Sequence, residues 1–153
     1  MPLPPDARPR IVVVIGLPGS GKSTYLQQRG LPTLSSDAIR KLLADDEADQ
    51  TIHARVFSTL RNLLYQRIAI RRPVTYVDAT HLTPQERRPY IQMARLFNCT
   101  VEALYFDVPL EVCKQRNRRR ARVVPEEALE RMAAKLVPPS LEEGFQGITV
   151  VRE

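Results

Sequence analysis

The sequence predicts a single α/β domain built on a parallel sheet. Three observations carry this. Short β-branched runs alternate with amphipathic stretches along the chain. The run Ile11-Val12-Val13-Val14-Ile15 leads straight into a Gly-rich loop. Pro, Gly and helix-capping residues punctuate the joins. At 153 residues the chain is long enough for one core.

The elements follow in order. Arg10 to Ile15 reads as the first strand, and a helix over Ser23–Arg29 stops at Gly30. A short strand is expected near Thr33 to Ser35, then a helix beginning at the cap residues Ser36 and Asp37. A longer helix is expected over about Thr51 to Arg71. There Ile52, Val56, Leu60, Leu63, Leu64 and Ile68 recur at helical spacing, and Pro73 ends the run. Val74–Val77 reads as the third strand. Thr83-Pro84-Gln85-Glu86 opens a helix with a Thr cap, Pro at the first position and Glu three residues after the cap. Thr100 to Phe106 is the fourth strand, Pro109 starts a helix, and Pro125 starts another that reaches about Val137. Ile148–Val151 is the fifth strand.

Composition narrows the chemistry. The formal charge is +6, with Arg far outnumbering Lys, a balance suited to anionic partners such as nucleotides or nucleic acid. Cys99 and Cys113 are not spaced as a metal-binding pair and fit a reducing cytoplasm. Residues 1–9 are Pro-rich without an apolar core, which predicts a flexible arm ahead of a domain at 10–153 and no secretory leader. No apolar run approaches a membrane span.

Gly16-Leu17-Pro18-Gly19-Ser20-Gly21-Lys22-Ser23 is a complete G-x-x-x-x-G-K-[ST] phosphate-binding loop, set between a strand and a helix. Its glycines let backbone N–H groups turn toward a phosphate, and the helix N-terminus adds a favourable dipole. Lys22 is expected to reach the β- and γ-phosphates of a nucleoside triphosphate, Ser23 to hold magnesium, and Thr24 to contact an inner phosphate. In a parallel sheet the C-terminal strand ends share one edge. That edge receives Asp37, Asp78 and Asp107 with the loop. Asp37 reads as a general base or as a helix cap, with Arg40 on the same helix face at i+3. Asp78 reads as a magnesium-supporting carboxylate or as a turn cap, and Asp107 as a helix-start residue. The run Lys114 to Arg122 reads as a solvated face, a nucleic-acid patch or a mobile lid whose arginines neutralise transferring charge. His81 reads as a substrate contact or, more simply, as a solvated loop residue, and His53 carries no functional reading.

Together, the Gly16–Thr24 loop, Asp37-x-x-Arg40, Asp78-Ala79-Thr80 and Phe106-Asp107-Val108-Pro109 followed by Arg116-Asn117-x-x-Arg120 resemble the polynucleotide 5′-hydroxyl kinases. The likeness is nearest to the kinase domains of phage and bacterial end-healing enzymes, over Ile11 to Phe145. This resemblance implies a P-loop kinase fold with strand order 2-3-1-4-5 and an Arg lid. It implies transfer of the γ-phosphate of ATP, or another NTP, with Mg2+, to a 5′-OH end of RNA or DNA. Lys22 and Ser23 then match the donor-phosphate lysine and magnesium serine, with Gly16, Gly19, Ser20, Gly21 and Thr24 completing the nucleotide cradle. Asp37 matches the general base and Arg40 the arginine beside the scissile phosphate. Asp78 and Thr80 match the acceptor-side loop, Arg120 the catalytic lid arginine and Arg116 a nucleotide-side arginine. His81 stands where Asn is common. Relatives often carry a phosphatase or ligase domain; here those activities are expected from separate partners. The alternative reading is a small-molecule phosphotransferase for a sugar, nucleoside or antibiotic on the same scaffold.

Overall fold

The computed structural model describes residues 1–120 and 123–152. Five parallel strands form one sheet: β1 (Arg10–Ile15), β2 (Thr33–Ser35), β3 (Val74–Asp78), β4 (Thr100–Phe106) and β5 (Gly147–Val151). Their spatial order is β2-β3-β1-β4-β5, the arrangement of a P-loop kinase. Side chains of a strand alternate between faces, so β1 serves two cores at once. Ile11, Val13 and Ile15 pack against α2 (Ser36–Ala44), α3 (His53–Ala69) and α4 (Pro84–Leu96). Val12 and Val14 pack against α1 (Lys22–Gln28), α5 (Leu110–Arg118) and α6 (Glu126–Lys135).

Local chemistry sets the element ends. Thr83 accepts from the Glu86 N–H while the Glu86 carboxylate accepts from the Thr83 N–H, the reciprocal cap anticipated for α4. α3 starts two residues later than expected. The Thr51 N–H and hydroxyl both donate to Asp49 Oδ1, an Asp-centred turn that competes with helix there. Residues 1–9, expected as a free arm, lie against the end of α3. The Leu3 N–H donates to the Arg71 carbonyl, and the Arg71 guanidinium donates to the carbonyls of Leu3, Pro4 and Ala7. Proline-rich backbone leaves carbonyls unpaired, and one guanidinium gathers them.

Register positions the site. Asp78 at the end of β3 pairs with Val14 on one side and Ser35 on the other. The phosphate loop follows β1 and Asp37 follows β2, so all three converge at the same edge. Asp107 departs from its expected role: α5 starts after Pro109, and the Asp107 carboxylate instead pairs with Arg152 at 3.2 Å.

Candidate active site

The loop from Gly16 to Gly21 joins β1 to α1. Gly19 has φ +84°, and a Cβ there would stand 2.6 Å from the Cys113 carbonyl oxygen, so only glycine fits between the loop and α5. Gly21, at φ +97°, precedes α1 and lets the chain enter the helix with its N–H groups facing the cavity. Lys22 is the first residue of α1 and is buried. Its ammonium donates to the carbonyls of Gly16 (2.8 Å) and Leu17 (3.0 Å), folding back over the loop. Burial pushes its pKa down, against the attraction of Asp78.

A cavity of about 720 Å3 opens above this loop. Gly19, Gly21, Lys22, Ser23 and Thr24 form one part of its wall; Asp37 and Arg40 of α2 form another, with Asp78 at the end of β3, Thr80 just after it, Arg116 in the last turns of α5 and Arg120 just past that helix. Gly16 lies beneath, its N–H donating to the Thr80 carbonyl at 3.1 Å and so tying the loop to the β3 end. Ser20 lines a second cavity of about 470 Å3, which Gly21, Thr24 and Arg116 share with the first. The sequence-predicted residues thus come together, and Asp107 stands apart.

Two pairs organise the wall. The Ser23 hydroxyl donates to Asp78 Oδ2 at 3.0 Å. Burial holds the Asp78 carboxyl above the usual range, while Lys22 and the Ser23 hydroxyl pull it back. Arg40 is buried, and its Nη1 donates to Asp37 Oδ1 at 3.1 Å, while the Asp37 side chain is 43% exposed. Among the described residues, Ser20 Oγ and Arg40 Nε are buried without a hydrogen-bond partner. The Ser23 hydroxyl and Asp78 carboxylate are the hard oxygen donors that magnesium takes, and it commonly uses one or two protein ligands plus substrate phosphates.

Four features were not anticipated. His81 is buried, not solvated, and adopts φ +49°. Its Nδ1 donates to the Val14 carbonyl at 2.8 Å, which leaves Nε2 to accept from the Tyr90 hydroxyl at 3.1 Å. Burial lowers its pKa to about 4. Arg87, with no exposed surface, donates to the carbonyls of His81, Leu82 and Val137 and pairs with Glu143 at 3.0 Å. Asn117 at the end of α5 is fully buried; its amide donates to the Val124 carbonyl at 2.5 Å and accepts from the Val124 N–H at 2.9 Å. Ala121 and Arg122, part of the Arg-rich run read as a lid, lie outside the described residues. His53 and Phe57, one helical turn apart on α3, line the first cavity. Only the i, i+4 spacing of the two rings offered a signal.

Residues 11–139 match the model of an AAA domain family, which takes in everything from β1 to the end of α6. The chain belongs to this family of P-loop kinases. Human L-seryl-tRNA(Sec) kinase is 32% identical over 92 residues, 60% of this chain and 26% of that protein. A chain of the Pnkp1/Rnl/Hen1 RNA repair complex superposes with a TM-score of 0.71 at 17% identity, covering 84% of this chain and 44% of its own. A gluconokinase from Sinorhizobium meliloti 1021 superposes with a TM-score of 0.59 at 21% identity, covering 95% and 84%. This P-loop kinase chain therefore spans about a quarter of the curated relative it matches. Among the described residues, no helix is long and apolar enough to cross a membrane.

Proposed function

We propose that this P-loop kinase transfers the γ-phosphate of ATP, or another NTP, to the 5′-OH end of a polynucleotide. The observation that carries the reading is the Asp37–Arg40 pair on a wall of the cavity that also holds Lys22, Ser23 and Asp78. A phosphoryl-transfer site needs a phosphate cradle on one side and a base with a cation on the other.

The phosphates of the donor rest on the loop, and its nucleoside extends past Arg116 into the second cavity, beside Tyr25 and Phe106. The exposed Asp37 carboxylate accepts the proton of the acceptor hydroxyl as that oxygen bonds to the γ-phosphorus and the nucleoside diphosphate leaves. Arg40, held by Asp37, donates to the transferring phosphoryl group, and Arg120 and Arg116 approach it from the lid. Ser23 and Asp78 would hold magnesium, which would offset the charge of the donor phosphates. A polynucleotide acceptor is supported by the +6 charge, by the arginines of the lid segment and by a cavity that opens to solvent. The names of the tRNA kinase and the RNA repair complex point the same way.

The test is direct. Labelled ATP and magnesium, with folded protein and 5′-OH RNA and DNA oligonucleotides, should give end-labelled product. Oligonucleotide affinity should fall steeply as salt rises. Absence of label on every end would sink the proposal. The likeness to a gluconokinase favours a second reading, a small polyhydroxylated acceptor, which predicts transfer to the small molecule and no salt-dependent oligonucleotide binding.

A further inference from the structure

We infer that His53 and Phe57 form a stacking platform for the terminal nucleobase of the acceptor; this rests on the polynucleotide reading above. The two residues open α3 and sit one turn apart, so their rings share a face of the helix. The ring centroids are 4.8 Å apart and the planes tilt by 44°. His53 is exposed and Phe57 half-buried, its inner side packed on the core behind α2 and α3. Both line the cavity that contains Asp37 and Arg40, on the helix packed against α2.

The position says which part of an acceptor arrives there. Asp37 fixes the 5′-hydroxyl, and the phosphate loop claims the donor side. The group next to the hydroxyl is a sugar carrying a flat base. The part of the wall formed by α3 and the stretch before it offers His53, Phe57, Ala48 and the amide of Gln50, with no buried charged side chain among them, while Ser35 and Ser36 line the side of Asp37. A polyhydroxylated acceptor needs converging polar groups to replace its water. A nucleobase needs a ring to stack on, and any base satisfies that need. Nothing in the reaction requires these rings, since neither reaches the roles of base, cradle or lid. They act on affinity and on choice of acceptor.

The experiment compares two 5′-OH oligonucleotides of identical sequence, one with an ordinary terminal nucleotide and one whose terminal nucleotide is abasic. Steady-state KM and kcat are measured for the wild type, His53→Ala and Phe57→Leu; leucine keeps the core contact while removing the ring, and His53 is exposed. For the wild type, loss of the terminal base should raise the acceptor KM about tenfold. Each variant should raise KM severalfold on the ordinary acceptor and hardly at all on the abasic one, with kcat and the KM for NTP near wild type. Equal KM for both acceptors in the wild type, or equal losses on both acceptors in the variants, would overturn the platform while leaving polynucleotide transfer standing. No transfer to any polynucleotide by protein that binds NTP would overturn both.

Discussion

The Ser23 hydroxyl donates to Asp78 Oδ2 across 3.0 Å, so the first turn of α1 is bonded to the end of β3. Joined, they present two oxygens on the wall of the cavity. We expect Asp78→Asn to keep the hydroxyl's acceptor and lose the charge. Magnesium dependence should weaken by about 10–100-fold. Melting temperature should not fall, since burial already penalises the carboxylate. A titration of activity against magnesium, beside a melting curve, checks both.

Asp37 and Lys22 should separate by readout. On the proposed reading Asp37→Asn removes the base that acts on the acceptor, so transfer should drop by about 10²–10⁴ while nucleotide affinity stays close to wild type. Lys22→Ala should weaken nucleotide binding or transfer with any acceptor. Fluorescent-nucleotide titration and single-turnover transfer distinguish the two. Loss of nucleotide affinity in Asp37→Asn would remove it from the acceptor role.

Asn117 in α5 is bonded to Val124, and Arg120 lines the cavity wall. Asn117→Ala leaves a buried N–H and carbonyl without partners and should cost about 1–3 kcal/mol of stability. Arg120→Ala should leave stability intact and reduce kcat by as much as about 10³–10⁵, the range for a charge-neutralising arginine. Denaturant melts and kcat values, taken together, test this opposite pairing.

His81 gives the fold an acid sensitivity. Its ordinary pKa of 6.5 falls to about 4 when folded, so between those values the unfolded chain binds the extra proton and the native chain does not. The stability present above pH 6.5 is lost as pH falls toward 4, by about 3 kcal/mol in all. His81→Asn tolerates the positive φ and should lower stability at neutral pH by about 1 kcal/mol through the lost Tyr90 contact. Its stability should then fall less steeply than wild type from pH 6.5 to 4. Parallel pH curves for the two proteins would refute the assignment.

Much of this was legible in the residues, for identifiable reasons. β1 is a β-branched run after Arg10, β4 opens on Thr100-Val101 and closes on Tyr105-Phe106, and the Thr83–Glu86 cap is a local device that needs no tertiary help. Lys22, Ser23, Asp37 and Asp78 could be placed because strand ends in a parallel sheet fall on one edge. His81 could not, because its burial depends on Tyr90, nine residues on, and on a carbonyl of β1. Arg87 reads as an ordinary helix-surface arginine, and only the carbonyls of Leu82 and Val137 make it a buried clamp. Asp107 looked like a helix start because the partner that claims it, Arg152, is 45 residues away. Long-range pairing of polar groups leaves no periodic trace.

The sheet divides the labour of the site unequally. Lys22, Ser23 and Asp78 hang from β1 and β3, which are paired on both edges. Asp37 and Arg40 hang from β2, a three-residue strand at the margin with one neighbour, followed by the α2 helix and the irregular stretch at 45–52. Insertions and substitutions there disturb few core contacts. A change of acceptor can therefore be built at the border of the sheet without moving the strands that carry the phosphate loop and Asp78.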